Sequence, residues 1–201
     1  MKRSLTWTIF LVCLAAGCTT ARAPRYYRLN LTPVATQANA AAIPATILVG
    51  RLSAPRILRD DRVVYGMSDV ELGVDEYHRW TEAPTEMIEQ LLVEQLRRSG
   101  QYKSVQRISS TARGDYLLRG HLTSLNEVDD PAGLKARFTI QLELFDQKSG
   151  GVVWTDNYTH DEPVEKKSVT AIVEGLQKNV NEGISQLTGN LAQYFASHLA
   201  K

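Results

Sequence analysis

LKARFTIQLEL, residues 134–144, is the segment that decides the fold, because its side chains alternate between apolar and polar. One set is apolar throughout: Leu134, Ala136, Phe138, Ile140, Leu142 and Leu144. The intervening set is polar: Lys135, Arg137, Thr139, Gln141 and Glu143. A period of two is typical of a strand that buries one face, and a single buried face is typical of an antiparallel sheet. The segment therefore predicts a strand over Leu134–Asp146 in such a sheet.

Two further strands flank this one and complete an antiparallel unit. The sequence predicts them over Asp115–Leu125 and Val152–His160, and the turn residues KSGG at 148–151 join the second strand to the third as a hairpin. Shorter apolar or alternating segments nearer the N-terminus predict four more strands: Tyr26–Leu31, Ile47–Leu52, Arg62–Met67 and Val70–Val74.

Two segments have the period of a helix instead. Trp80–Arg98 carries apolar residues at steps of three and four, with Pro84 in its first turn and Gly100 as a stop signal. Ser168–Ala200 carries a longer stripe of the same kind. Its candidate positions for a bend or break are Gly175, Gly183 and Gly189. The order of strands, helix, strands and helix predicts an α+β fold, in which the two helices cover one face of an antiparallel sheet.

The first residues, Met1–Cys18, have the features of a bacterial export signal. Lys2 and Arg3 precede an apolar run, Leu5–Leu14, which is too short to span a bilayer as a stable helix. Small residues then lead into Cys18, an arrangement that resembles the lipobox of lipoprotein precursors, where the cysteine is lipidated and becomes the new N-terminus. The alternative is an ordinary secretory signal with an incidental cysteine. We predict a lipoprotein signal peptide over 1–17, a lipidated tether over 18–25 and a single periplasmic domain over 26–201.

The composition limits the classes of function. The net charge is +1 and falls further when Lys2 and Arg3 leave with the signal, so the domain has no basic field for binding nucleic acid. Of the two cysteines, Cys13 leaves with the signal and Cys18 is used by the lipid. The folded domain therefore has no thiol for a disulfide, a metal site or a nucleophile.

The polar residues form no pattern that is typical of an active site. The carboxylate pairs Asp60-Asp61 and Asp129-Asp130 lie beside turn residues, where solvation is expected. The sequence has no nucleophile elbow, phosphate-binding loop or dinucleotide-binding turn. The four histidines are scattered without the spacing of a metal motif: His78, His121, His160 and His198. We predict no enzyme activity, no metal site and no cofactor.

One short segment is a candidate partner-binding site. Tyr77, Arg79 and Trp80 precede the first predicted helix, and these residue types dominate the energetics of protein interfaces. The simpler interpretation of Trp80 is a core residue that packs the entering chain onto the helix. The functional interpretation is that all three residues present part of their surface to another protein.

Five short segments follow one another along the chain after Cys18: Tyr26-Tyr27-Arg28-Leu29, Arg62-Val63-Val64-Tyr65, Tyr77-His78-Arg79-Trp80 with Pro84, Asp115-Tyr116-Leu117-Leu118-Arg119-Gly120 and Gly151-Val152-Val153-Trp154. No single segment is diagnostic, but their order and spacing extend over nearly the whole of this part of the chain. Taken together, they are similar to the ABC-type transport auxiliary lipoproteins, the family that includes paraquat-inducible protein C.

The resemblance implies a set of partners and a place in the cell. The partners are an ABC permease with its ATPase and a membrane-anchored MCE (mammalian cell entry) protein, in a system that moves phospholipids or related apolar molecules between the two membranes of a Gram-negative bacterium. The implied role is auxiliary and non-catalytic, and a homo-oligomer is left open. Thr19, where an Asp would favour the inner membrane, points to the outer membrane. The alternative is a structural or assembly lipoprotein of another envelope complex.

Overall fold

The computed structural model describes residues 22–32, 42–66, 70–109, 111–131 and 133–199. Cys18, the predicted signal peptide and the first part of the predicted tether lie outside these residues. The described chain forms eight strands: β1 (Arg25–Tyr27), β2 (Ile43–Ser53), β3 (Arg62–Gly66), β4 (Leu72–Trp80), β5 (Tyr102–Arg107), β6 (Tyr116–Asp130), β7 (Gly133–Asp146) and β8 (Gly151–Pro163). The helices are α1 (Pro84–Arg98), α2 (Val169–Leu199) and a short 3₁₀ turn at Arg56–Arg59.

Strands β6, β7 and β8 form the antiparallel unit that the alternation predicts. β6 pairs with β7 from Tyr116 opposite Asp146 to Asp130 opposite Gly133. β7 pairs in turn with β8. The apolar set of β7 is buried from Ala136 to Leu144, and Gln141 on the other side of the strand is exposed. The side chains of this unit that point away from the core are defined here as the open sheet face: Arg119, His121, Arg137, Thr139, Gln141, Glu143, Asn157, Thr159 and Asp161.

The other strands join the sheet through pairings that the sequence analysis does not anticipate. β6 pairs in parallel with β2 along its first half and with β3 along its second half. β5 is parallel to β2, and β1 is parallel to β4. The predicted α+β class is confirmed, but the sheet is mixed, because strands that are distant in the sequence lie side by side through crossover connections.

Both helices pack on one face of the sheet. α1 lies against β2 and β5, α2 lies across β7 and β8, and the two helices contact each other. The apolar side chains of both helices belong to the same buried cluster as those of the sheet. The sheet and the helices thus enclose one core, and the open sheet face is left to solvent.

The first helix begins later than the sequence predicts. Residues from Leu72 to Trp80 form β4, so the predicted strand at Val70–Val74 is placed too early and the predicted helix start at Trp80 is wrong. β4 pairs with β3 and β1, and this pairing satisfies the backbone of residues that could otherwise begin a helix. The helix starts at Pro84 and ends before Gly100, whose φ of 64° is the conformation expected of a terminating glycine. β5 is a strand that the sequence analysis misses.

α2 runs without a break through all three of its glycines. A Cβ added at Gly183 would lie 2.8 Å from the ring of Phe138 and 2.7 Å from the ring of Tyr158. Gly183 therefore lets the helix approach the two rings more closely than a larger residue would allow. Its role is close packing against the sheet rather than interruption of the helix.

Candidate functional site

The residues predicted to bind a partner, Tyr77, Arg79 and Trp80, lie in β4. β4 pairs with β1, which is close to the first described residue. Tyr77 and Arg79 are two positions apart in a strand and so point to the same face of the sheet. Tyr26 of β1 is the register neighbour of Arg79, and Arg62 of β3 is its neighbour on the other side. The strand pairing therefore places the aromatic side chain of Tyr26 next to the predicted site.

Two of these side chains expose large aromatic rings. Tyr26 is 60% exposed and Tyr77 is 43% exposed. The described residues contain six large hydrophobic side chains with this degree of exposure, so two of the six lie together here. The guanidinium of Arg22 lies 5.2 Å from the centre of the Tyr77 ring, a distance that is typical of a cation–π contact. We define Tyr26, Tyr77 and Arg79 as the aromatic–arginine surface.

Arg79 is held in place by two carboxylates, that of Asp61 in the turn before β3 and that of Glu76 in β4 itself. Its Nη1 donates to Asp61 Oδ1 at 2.9 Å, and its Nη2 lies 4.0 Å from Glu76. Trp80 donates its backbone N–H to the carbonyl of Asp61 at 2.6 Å, so the turn is tied to the strand at two points. The guanidinium is therefore oriented before any partner arrives, and less side-chain entropy is lost on binding.

The neighbouring arginine belongs to the same ionic network. Arg62 donates to Asp60 Oδ2 at 3.0 Å and to Glu76 Oε1 at 2.8 Å. The hydrogen bonds from Arg62 lower the pKa of the Asp60 carboxyl from its usual 3.8 to about 2. The acidic pair at Asp60 and Asp61, for which the sequence suggests simple solvation, instead positions two arginines beside the exposed aromatic rings.

Trp80 lies in a different environment from Tyr77 and Arg79. Its side chain is only 1% exposed, and its Nε1 has no hydrogen-bond partner among the described residues. It therefore belongs to the core beneath the aromatic–arginine surface, as the simpler interpretation of the sequence predicts, and cannot contact a partner directly. The ring of His78 lies near that of Tyr27, with 6.0 Å between the ring centres, and its Nδ1 is 2.8 Å from Asp75.

Tyr26 is a member of this surface that was not predicted from the sequence. The only available signal was its position close behind Cys18, since parallel pairing of two strands that are far apart in the chain leaves no local pattern.

Arg22, the first described residue, is four positions after Cys18, and four extended residues reach at most ~14 Å.

The open sheet face has a different character. It carries hydroxyl and amide side chains together with ion pairs across the strands. Arg119 lies 3.3 Å from Glu143, and Arg137 donates through Nε and Nη2 to the two carboxylate oxygens of Asp161, each at 2.7 Å. These charges are already satisfied within the domain, and among the residues that the structure describes this face has no pair of exposed aromatic rings comparable to Tyr26 and Tyr77. Within the described part of the chain, no helix is long and apolar enough to cross a membrane.

The fold and this site define the class of protein: a small α+β domain that presents a preorganised aromatic–arginine surface formed by β1 and β4. The family can also be stated. The model of the ABC-type transport auxiliary lipoprotein components matches residues 27–188, and the chain belongs to this family. No curated protein matches the chain.

Solved structures share the fold at low sequence identity. Protein XCC0632 from Xanthomonas campestris is 20% identical, with a TM-score of 0.78 over 88% of this chain and all of that one. An uncharacterized protein is 16% identical, with a TM-score of 0.65 over 84% of this chain and 99% of its own. CT253 from Chlamydia trachomatis is 6% identical, with a TM-score of 0.51 over 77% and 99% of the two chains. At these identities the similarity establishes the arrangement of strands and helices.

Proposed function

We propose that this protein is a lipid-anchored periplasmic component of an ABC/MCE-type system that moves lipids between the inner and outer membranes, and that it acts by docking rather than by catalysis. The observation that carries the proposal is the aromatic–arginine surface of Tyr26, Tyr77 and Arg79. Membership of the transport auxiliary family supplies the context in which such a surface has a partner. The partner that we propose is the MCE protein of the same system.

The anchor that we propose is Cys18. Two or three acyl chains bind a membrane durably, because each buried methylene contributes about 0.8 kcal/mol. Arg22, where the described residues begin, is four positions after Cys18, and β1 would bring Tyr26 and its neighbours close to that membrane. The outer membrane is the location favoured by Thr19.

The short tether determines how such a system could span the periplasm. A domain held this close to one membrane cannot reach the other by itself, so the proposed partner must extend across from the opposite side. In this arrangement the aromatic–arginine surface receives the far end of the MCE protein. Rigid aromatic rings and a guanidinium already held by Asp61 bury a large area at a low cost in side-chain entropy.

The docking surface is tested by recovery of the MCE protein with tagged full-length variants. Tyr77→Ala and Arg79→Ala should each reduce recovery at least about tenfold, as expected for the loss of a hot spot worth 1.4 kcal/mol or more. The matched control is Arg119→Ala, which removes an exposed arginine paired to a carboxylate on the open sheet face. Thermal melting of each variant should stay close to that of the parent, because Tyr77 is an exposed side chain and ion pairs at the surface contribute little to stability.

The outcomes separate the two surfaces. Loss of recovery in Tyr77→Ala and Arg79→Ala with normal recovery in Arg119→Ala supports the proposal. Loss in Arg119→Ala alone would place the interface on the open sheet face. Normal recovery in all three variants would exclude Tyr77, Arg79 and Arg119 as contacts and overturn the proposed docking surface.

The anchor is tested separately. Mass spectrometry of the mature protein should find its N-terminus at residue 18 and a mass increased by lipid. Cys18→Ala should accumulate as an unprocessed precursor whose domain still folds. An unmodified residue 18, or cleavage elsewhere, would contradict the anchor and leave the docking surface to be judged by its own test.

A further inference from the structure

A group of potential metal ligands forms where β8 meets α2. His160 and Glu162 lie two positions apart on β8, so both point to the helix side of that strand. Glu182 comes from the facing part of α2. One ligand atom from each of these three residues lies within 4.8 Å of the other two. The sequence gives no indication of this group. Glu182 is 20 or more positions away from His160 and Glu162 along the chain and approaches them only in the folded domain.

The geometry of the closest pair suits a tetrahedral metal ion. His160 Nε2 and Glu162 Oε2 are 3.5 Å apart. Two ligands that each lie 2.0–2.1 Å from a zinc ion in tetrahedral array are separated by about 3.3 Å. Glu182 is exposed, so a change of side-chain rotamer can bring its carboxylate closer to the other two ligands. The fourth coordination position is left for water.

The backbone at this site is fixed from beneath by a buried amide. Asn179 is fully buried, and its Nδ2 donates to the carbonyl of His160 at 2.8 Å and to that of Ala136 at 2.9 Å. Its Oδ1 accepts from the Tyr158 hydroxyl at 3.0 Å. The strand that carries two ligands is thereby held to the helix that carries the third, so the site does not depend on a mobile loop.

A cationic group already lies against these carboxylates. Lys178 Nζ is 2.5 Å from Glu162 Oε1, and the carboxylate of Glu162 is only 13% exposed. A carboxylate oxygen of Glu182 lies within 4.8 Å of one of Glu162, so two negative charges lie close together here. Both carboxylates therefore favour positive charge at this position, and an imidazole nitrogen lies beside them. The site therefore differs from a simple lysine–carboxylate ion pair, because His160 Nε2 lies 3.5 Å from the same carboxylate group.

We propose that His160, Glu162 and Glu182 bind a divalent transition metal ion, with zinc as the best match to one imidazole and two carboxylates. The ion replaces the ammonium of Lys178 at Glu162 and links the edge strand β8 to α2. Mg²⁺ and Ca²⁺ are poorer matches, because both prefer sites made of oxygen ligands alone.

The test uses the full-length protein in detergent, with ZnCl₂ as the probe in calorimetry and thermal melting. Zinc should bind with a stoichiometry of one and raise the melting temperature, while MgCl₂ should have no effect. His160→Gln and Glu182→Gln should each weaken zinc binding at least about tenfold. The matched control is His121→Gln, which removes an exposed histidine of the open sheet face that contacts Ser53.

Lys178→Met provides a result that a purely structural ion pair would not give. The lysine competes with the metal for Glu162, so its removal should tighten zinc binding, and zinc should restore the melting temperature that the variant loses. Absence of zinc binding in both the parent and Lys178→Met would overturn the proposal. Binding that is unchanged in His160→Gln, or that is lost in His121→Gln, would also overturn it by placing the ion elsewhere.

Discussion

Strand β6 separates two parts of the sheet that are built in different ways. On one side, β6, β7 and β8 are 15, 14 and 13 residues long, follow each other in sequence and pair antiparallel. On the other side, β1, β3 and β4 have three, five and nine residues, and their pairings include parallel neighbours from distant parts of the chain. The long unit carries a continuous buried face, whereas the short strands carry the aromatic–arginine surface.

The comparison teaches how stability and recognition are divided in this domain. In the long unit, regular alternation sends one set of side chains into the core and leaves ion pairs and hydroxyl groups on the other face. In the short strands, Trp80 is buried while Tyr77 and Arg79 remain accessible next to Tyr26. The long unit should therefore dominate unfolding, and the short strands should dominate binding.

The largest effect is expected from the core of the long unit. Phe138 is fully buried, and Phe138→Ala should lower the free energy of unfolding by about 3–5 kcal/mol through lost burial and the cavity it creates. Gln141→Ala, on the exposed face of the same strand, should change it by less than about 0.5 kcal/mol. Chemical denaturation measures both. Equal effects at the two positions would break the distinction between the buried and open faces of β7.

A smaller effect is expected where α2 is fixed to the long unit. Asn179→Ala removes the three hydrogen bonds of a buried amide, two of them fully buried, and leaves their partners unsatisfied, which should lower the free energy of unfolding by about 1–3 kcal/mol. Asn190 is on the same helix, and its amide donates to Asp156 Oδ2 at 2.8 Å from a partly exposed position. Asn190→Ala should therefore cost less than Asn179→Ala. The reverse order in a denaturant titration would show that the buried amide is not the main polar link.

The smallest effect is expected in the ionic network beside the aromatic–arginine surface, and it depends on pH. Because the folded protein holds the pKa of Asp60 at about 2, below its usual 3.8, the ionised carboxylate stabilises the fold above pH 3.8. That contribution decreases as the pH falls from 3.8 towards 2. The parent should be slightly more stable than Asp60→Asn above this range, and the difference should shrink within it. A difference that grows on acidification would contradict the assigned role of Arg62.

The two parts of the sheet also differ in how far the sequence predicts them. Phe138, Ile140 and Leu142 encode the orientation of β7 locally, so the antiparallel unit and its buried face are confirmed. Helix α1 is predicted from its apolar stripe, but its start is not, because pairing with β3 and β1 draws the residues up to Trp80 into β4. A single sequence carries no local signal for such long-range pairings.

The same reason limits the prediction of the candidate sites. Tyr77 and Arg79 could be singled out by residue type, yet Tyr26 joins them only through the parallel pairing of β1 with β4. His160 and Glu162 are neighbours on one strand, while Glu182 reaches them only when α2 packs on the sheet. The core position of Trp80 follows from burial in the folded domain and not from its residue type, which is common at interfaces as well.

The central claim, that the short strands form the docking surface, is tested most directly by site-specific photo-crosslinking in living cells. A photoreactive amino acid at position 77 places the probe on the aromatic–arginine surface, and one at position 159 places it on the open sheet face as the matched control. We predict that position 77 crosslinks to the MCE protein and position 159 does not. Crosslinking to that protein from position 159 alone, or from neither position while the complex is recovered intact, would contradict the account.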